Sequence, residues 1–423
     1  MKLLEPKNAN YAAVVIEIKS IIELENCDNV VAVSLLGFHA IVSKDTKIGD
    51  VGIVFPAECQ LSDEFVSENC LYRHGDRNID PSAKGYLEDN RRVKAMKFRG
   101  NRSDCLFMPL SSLKYTKEKI AELKVGDVFD QLGDHEICKK YTVKTRTSNN
   151  RLEKNKKKVW NRVDTKFFPL HVDTDNYWRN KDALKDHMDV VVTAKIHGTS
   201  VRISNNIVAK KSSIIDKVAK LFGANIQTHE YDMVYGSRKV TKDANRPDQQ
   251  HYYDSDIWTL VGKRLDGILP QGWMVFGEIV GWVGEETPIQ KNYTYQLPQG
   301  SNELYIYRIV QVNPQGRITD LAWDQVVEFC RDNNLKTVPE LWRGKHKDFV
   351  AEDWIDKKFF EEGYVNCLPL DKESPCDEGV CVRVDGLVPY LLKAKSPDFL
   401  GYESKMLDEE AIDIEEEGKI EEV

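Results

Sequence analysis

The sequence predicts an α+β protein: a small all-β module, then a larger domain in which strands and helices alternate. Three observations lead there. Short apolar runs separated by turn signals crowd residues 11–132, extended and helix-like segments alternate from Asp189 to Val384, and 423 residues at 41% hydrophobic content leave room for at least two cores.

The N-terminal runs are YAAVVIEI, NVVAVSLL, HAIV and VGIVF, punctuated by Cys27-Asp28-Asn29, Lys47-Ile48-Gly49-Asp50 and Asp76-Arg77-Asn78. Strands of that length and spacing predict a small barrel or sandwich rather than long helices. AELKVGDVFD adds a turn at Val125-Gly126-Asp127 and a last strand, which puts the boundary near Cys138. Residues 139–166 then hold eleven Lys or Arg against Glu153 and Asp164, with neither a helical nor a strand period. This segment reads as a solvated connector that could also neutralise phosphates.

Beyond the connector, DVVVTAKIHG, GWMVFGEIVGW, NELYIYRIVQV and EGVCVRV read as strands, while SIIDKVAKLFG and DLAWDQVVEFCRDNN read as helices. From Asp408 to Glu422 nine acidic residues face only Lys419, so the formal charge of −8 resides in what reads as a solubilising tail. Nine cysteines, an odd number without a CxxC pair, fit a reducing compartment. No signal-peptide core and no apolar run of about 20 residues is present, so a soluble cytoplasmic protein without a membrane partner is expected. The composition excludes a disordered chain and a disulfide scaffold.

Several residues could carry chemistry. Period-two alternation puts Lys195 on the face of Thr193 and Val191, ahead of Ile196-His197-Gly198-Thr199-Ser200. Such a lysine is either a snorkelling edge residue or an amine made nucleophilic by desolvation and cationic neighbours. Lys393 and Lys395 share a face with Leu391, and like charges so placed imply solvent or a bound polyanion. With Glu378 at the mouth of the preceding strand, they suggest an anion site with a divalent metal, a mixed-charge surface hairpin being the alternative. Glu278 ends another hydrophobic strand, where it needs a partner. Tyr305 and Tyr307 share a face as core packing or as a platform for a base. Arg238, after Gly236-Ser237, could grip a phosphate. Arg91, Arg92, Lys94, Lys97, Arg99 and Arg102 form a second basic patch, with Met96 and Phe98 on alternate strand positions.

In order, KIHGTS at Lys195, GSR at Arg238, FGEIVG at Glu278, YIYRI at Tyr305, DEGVCVR at Glu378 and LLKAK at Lys393 resemble the nucleotidyltransferase motifs of covalent RNA and DNA ligases and capping enzymes. The His-Gly after the lysine looks more like RNA ligases. VKAMKFRGNRSDCLFMPLSSL and FFPLHVDTDNYWRN look like those RNA ligases that place an OB module before the catalytic domain.

The resemblance implies an N-terminal OB-like β barrel over residues 1–137 and a basic connector over 138–165. A ligase-type nucleotidyltransferase domain of antiparallel sheets with flanking helices would span 166–405, and an acidic tail 406–423. It implies ATP and Mg²⁺ or Mn²⁺ as cofactors and RNA, or a nicked RNA-containing duplex, as partner; a monomer is expected. Lys195 would attack the ATP α-phosphorus to form lysyl-AMP, AMP would pass to an RNA 5′-phosphate, and a 3′-OH would displace it. Lys393 and Lys395 would contact phosphates, as would Arg238, with Arg202 competing for that role. Glu378 would hold the metal, and Glu278 the AMP ribose and part of the metal site. Ile196, His197 and Gly198 would line the nucleotide pocket, Tyr305 or Tyr307 would pack on adenine, and the six basic residues of 91–102 would meet nucleic acid, at nicks with RNA on the 3′-OH side.

Two other readings compete. An ATP-dependent DNA ligase or GTP-dependent capping enzyme usually carries an OB module after the last motif, and about 28 residues follow Lys395. A non-catalytic nucleic-acid-binding protein would leave the ordered Lys195, Glu278, Glu378, Lys393 and Lys395 unexplained.

Overall fold

The computed structural model describes residues 3–25, 27–142, 162–172, 174–210, 221–222, 227–242, 253 and 255–409. Most of the basic connector, nearly all of the helix expected over SIIDKVAKLFG, and the acidic tail past Glu409 lie outside the described residues.

The first part of the chain forms short strands: β1 (Ala13–Glu17), β2 (Ile21–Ile22), β3 (Val30–Leu35), β4 (Phe38–Ser43), β5 (Val51–Pro56) and β6 (Cys59–Leu61). Helix α1 (Asp63–Glu68) follows, capped by Ser62, whose hydroxyl accepts from the Phe65 N–H at 3.0 Å. Then come β7 (Met96–Phe98), β8 (Asn101–Ser103), β9 (Cys105–Pro109), β10 (Val128–Phe129), β11 (Gln131–Leu132), β12 (His135–Glu136) and β13 (Cys138–Lys140). The strands predicted from the apolar runs are all present. Their pairing is different from that of a barrel.

β10-β1-β5-β9 make one sheet and β2-β3-β4 another, while β11-β12, β6-β13 and β7-β8 pair separately. No sheet among the described residues closes into a barrel, which corrects the OB-like barrel expected from the sequence. The physical reason is that β1 and β5 are buried on both faces. Ala13, Val15, Ile53 and Phe55 pack with Phe65 and Tyr72 on one side, and Val14 and Val54 pack with Val31, Val33, Phe38 and Ala40 on the other. A closed barrel has one interior, whereas a strand with two apolar faces sits in the middle of layers.

The second part opens with β14 (Asp175–Asn176) and α2 (Tyr177–Asn180), followed by β15 (Asp189–Ala194), β16 (Thr199–Ala209), β17 (His229–Ser237), β18 (Thr241–Lys242) and α3 (Ile257–Gly262). Next are β19 (Trp273–Val283), β20 (Thr287–Pro288), β21 (Asn302–Val312), β22 (Ile318–Asp320), α4 (Trp323–Asp332), β23 (Lys336–Thr337) and β24 (Glu340–Lys345). The last elements are β25 (Gly379–Val384), β26 (Tyr390–Lys395) and α5 (Pro397–Asp408). Helix α4 buries Trp323, Val326 and Cys330, the three-and-four spacing of an amphipathic helix.

Two sheets frame this region. One runs β18-β17-β16-β19-β21-β22, with β20 and β23 attached; the other runs β14-β26-β25-β15-β24. β19 is central and, Glu278 apart, lacks charged residues because both its faces are covered: Met274 and Phe276 enter one cluster, Val275 and Ile279 another. The first sheet is antiparallel apart from the β21–β23 pair, and the second apart from β14–β26. No described helix is long and apolar enough to cross a membrane.

The two parts of the chain meet through buried polar contacts. Arg92 is 2% exposed and reaches Glu58 Oε2 at 3.2 Å, the Ser404 carbonyl at 2.9 Å and Asp408 Oδ1 at 2.5 Å. Removing one partner of a buried pair costs about 3–5 kcal/mol, whereas an exposed pair contributes about 0–1 kcal/mol. Arg92 therefore fixes this junction far more than the exposed Lys97–Asp398 pair does.

Burial pushes the Glu58 carboxyl up to about 7, against the opposing pull of Arg92 and the Ser404 hydroxyl. With its folded value above its unfolded one, the native state binds the extra proton between the two. This group's contribution to stability is therefore fully present below about pH 4.5 and is lost as the pH rises through about 7, a change of roughly 3 kcal/mol. Denaturant unfolding at pH 5 and pH 8 should show this loss in the wild type and a smaller one in Glu58→Gln. An unchanged slope in that variant would refute the assignment.

Candidate functional site

β15, β25 and β26 are adjacent, and their register builds one rim of a cavity. Thr193 pairs with Cys381 and Cys381 with Lys393; one step on, Gly379 pairs with Lys395, and the Lys195 N–H donates to the Gly379 carbonyl at 2.9 Å. Alternation then separates two faces. Val192, Ala194, Val380, Val382, Leu392 and Ala394 pack inside a hydrophobic cluster, while Thr193, Lys195, Cys381, Lys393 and Lys395 line the cavity.

Glu378 precedes β25 and sits between the two strand-end lysines. Its Oε1 is 2.8 Å from Lys195 Nζ and 3.3 Å from Lys395 Nζ. Gly379 makes this crossing possible. It has φ +134°, and a Cβ there would lie 2.1 Å from the Ala394 carbonyl oxygen. Burial alone would raise the Glu378 carboxyl, but the ammonium groups of Lys195 and Lys395 and the His197 imidazole hold it well below the usual carboxylate range. Lys395 is likewise held above the usual lysine range: burial opposes this, and the Glu403 and Glu378 carboxylates prevail.

The loop after Lys195 is set by its neighbours. The His197 N–H donates to Tyr295 Oη at 2.7 Å, and its ring lies edge-on to Tyr293 and Phe399, each 5.0 Å away. Ile196 is buried in the same core. A Cβ at Gly198 would come within 2.3 Å of the Ile279 carbonyl oxygen, so glycine is required for the loop to approach β19. Ile196, His197 and Gly198 all line the cavity.

The opposite wall comes from the other sheet. Ser200 pairs with Glu278 across β16 and β19, and its hydroxyl donates to Glu278 Oε2 at 3.1 Å. Arg238, just past β17, also lines the cavity, as do His171 and Arg308. Arg202 does not. It is fully buried beneath the Phe168 ring, with Nε donating to the Ser237 carbonyl at 2.7 Å and Nη1 to the Pro169 carbonyl at 2.9 Å. Of the two competing arginines, only Arg238 faces the cavity.

Tyr305 and Tyr307 separate, contrary to the shared face that alternation predicts. β21 pairs Gly277 with Ile306 but Phe276 with Arg308, leaving Tyr307 as the extra residue of a bulge. Tyr307 lines the cavity beside His171, at 5.8 Å between rings, whereas Tyr305 is buried in the core and donates its hydroxyl to Glu303.

The six basic residues of 91–102 do not form one face. Arg92 is buried at the junction, Arg91 donates to the Leu61 carbonyl, Lys94 pairs with Asp408 and Arg102 with Asp104, while Lys97 and Arg99 lie on the exposed β7–β8 hairpin. Other cavity residues had no signal in the sequence. Tyr11 and Lys140 arrive from the N-terminal part and Glu403 from α5. Tyr11 is brought there because Asn10 bonds the Thr174 carbonyl and the Asn176 N–H, and Arg179 bonds the Ala12 carbonyl.

A divalent cation can be tested against these groups. Among the described residues no cluster of three or more His, Cys, Asp or Glu could cage a metal. Glu378 Oε2 is nevertheless buried without a hydrogen-bond partner, His197 Nδ1 lying 3.6 Å away, and Glu278 lines the same cavity. One or two carboxylates with room for water and phosphate oxygens suit Mg²⁺ or Mn²⁺ rather than a metal held by protein alone. The site fits a cation shared with a phosphate ligand.

Comparison with known proteins agrees with this layout. A Naegleria gruberi RNA ligase with PPi superposes with a TM-score of 0.58 at 15% identity, covering 93% of this chain and 99% of that one. A variant of that ligase with ATP and Mn gives 0.56 at 15%, covering 94% and 99%, and another with AMP and Mn gives 0.57 at 14%, covering 92% and 98%. At such identity the likeness is one of fold. No curated protein matches the sequence. The RNA ligase family model matches residues 188–395, from just before β15 to Lys395 itself. Residues 188–395, which carry Lys195, Glu278, Glu378, Lys393 and Lys395, are therefore the part of the chain that is similar to the RNA ligase family.

Proposed function

We propose that the protein is an ATP-dependent RNA ligase that seals 3′-OH/5′-phosphate breaks, with residues 166–405 performing the chemistry and residues 1–137 presenting nucleic acid. One observation carries this reading: Lys195, Glu378 and Lys395, all three within the family-matched residues, converge at the ends of three adjacent strands that line a cavity.

Three displacements follow. The unprotonated Lys195 amine attacks the ATP α-phosphorus, forming a P–N bond as the bond to pyrophosphate breaks. An RNA 5′-phosphate oxygen then takes the AMP, breaking P–N and forming a phosphoanhydride. Finally the 3′-hydroxyl attacks that 5′-phosphate and AMP leaves. Negative charge builds on phosphate oxygens each time, and Lys393, Lys395 and Arg238, cations that line the cavity with Lys195, would stabilise it. Glu278, which accepts from the Ser200 hydroxyl, would bond the ribose, and Tyr307, which lines the same cavity, would flank the base. Glu378 and Glu278 are the carboxylates that would hold Mg²⁺ or Mn²⁺, whose contribution would be neutralisation of phosphate charge. Glu378 also keeps the two lysines side by side against their mutual repulsion.

Nicked duplexes test the substrate. The purified protein should seal a nick with ribonucleotides on the 3′-OH side when given ATP, and seal an all-DNA nick far more slowly. Equal sealing of DNA would favour a DNA ligase, use of GTP a capping-type enzyme, and nucleic-acid binding without sealing a non-catalytic binder.

A further inference from the structure

Helix α5 immediately follows Lys395, and it presents two faces to two different parts of the molecule. Phe399 and Glu403, four residues apart, face the part of the molecule that carries Lys395: Phe399 is buried in its core and Glu403 lines the cavity. The Phe399 ring is 5.3 Å from Lys395 Nζ, and Glu403 Oε1 and Oε2 accept from that ammonium at 2.9 and 3.0 Å. Leu400, Ser404 and Asp408, again at intervals of four, point to the N-terminal part. Leu400 enters the cluster of Val14, Val33 and Val54. The Ser404 hydroxyl donates to Glu58 Oε1 at 2.6 Å and accepts from the Ala95 N–H at 3.1 Å, and Arg92 binds the Ser404 carbonyl and Asp408. Neighbouring residues on a helix differ by about 100° in direction, so Glu403 and Ser404 translate one rigid turn into two contacts.

We infer that Glu403 is a positioning residue for Lys395, and that the buried Glu58–Arg92–Ser404 cluster registers α5 so that the N-terminal part sets where Lys395 stands. The inference rests on the ligase reading above. Lys395 has four rotatable bonds, and a lysine meant to meet a transferring phosphate gains from being held before the substrate arrives. Glu403 holds the ammonium at 2.9 Å, closer than Glu378 at 3.3 Å, so Lys395 is shared between two carboxylates. A coupling of this kind would make nucleotide transfer sensitive to how the N-terminal part is seated, although none of the Glu58, Arg92 and Ser404 side chains lines the cavity.

The test measures formation of the protein–AMP adduct from ATP, under single-turnover conditions in the full-length chain, with folded fraction determined separately. Glu403→Ala should lower the maximal rate per folded molecule about 10- to 100-fold, with a smaller change in the ATP concentration needed for half-maximal rate. Glu403→Gln, which retains an oxygen acceptor, should recover at least about 5-fold of that loss. Ser404→Ala should lower the same rate about 3-fold or more, and should add less than this in the Glu403→Ala background. A wild-type rate in Glu403→Ala, or a loss fully explained by unfolding, overturns the positioning role. Full additivity of the two substitutions overturns the coupling. If the wild-type protein forms no adduct, the ligase reading fails and this inference with it, so the two failures are told apart by the wild-type lane.

Discussion

Lys195→Ala should reduce labelling of the protein by α-phosphate-labelled ATP to background, a loss of about three orders of magnitude or more, as expected when the nucleophile itself is removed. The fold should survive. Lys195 contributes a side chain at the cavity rim, and Glu378 keeps Lys395 as an ion-pair partner in its absence. The sharper measurement uses RNA that already carries AMP on its 5′-phosphate. Sealing of that substrate needs no lysine–AMP bond, so Lys195→Ala should still join it with Lys393, Lys395 and Glu378 in place. An adduct retained at wild-type level in this variant would remove Lys195 from the mechanism, and peptide mapping would name its replacement.

Glu378→Ala should impair both reactions, because it acts on the frame that holds the lysines. The side chain is 3% exposed and bridges Lys195 and Lys395, so its removal leaves two ammonium groups facing one another in a low-dielectric pocket. We expect adduct formation and sealing of pre-adenylated RNA each to fall about 100- to 1,000-fold. Glu378→Gln, which keeps the shape but loses the charge, should lie closer to Glu378→Ala than to the wild type. The pH dependence separates this from simple unfolding. The folded carboxyl is held below its ordinary value, so its stabilising effect is fully present above about pH 4.5 and is lost as the pH falls through the depressed folded value. Acid unfolding of the wild type should include this component, and Glu378→Gln should lack it. Rates that drop only in step with the folded fraction would indicate a purely structural carboxylate.

Several parts of the site were legible because they depend on neighbours along the chain. Thr193 with Lys195, and Lys393 with Lys395, fall on the polar face as period two requires, and β19 and α4 follow their apolar patterns. The same rule failed at Tyr305 and Tyr307, since the bulge is defined by pairing with Phe276 and Gly277, about thirty residues upstream in the chain. It could not choose between Arg202 and Arg238 either. Both are arginines in polar contexts, and only the crossing of Phe168 and Pro169 over β16 buries one and leaves the other facing the cavity.

Sequence alone determined the strands of the apolar runs, though not Thr199–Ala209 or His229–Ser237, which residues share a face along an unbroken strand, and the order of charged groups that resembles ligase motifs. Tertiary structure alone decided that the N-terminal strands stack in layers instead of closing, that Arg92 serves a buried junction, and that Glu403 meets Lys395. Backbone periodicity is a local property, fixed within a few residues. Partner choice and desolvation depend on what the rest of the chain brings alongside, and those contacts between distant residues set the charge and position of every group at the site.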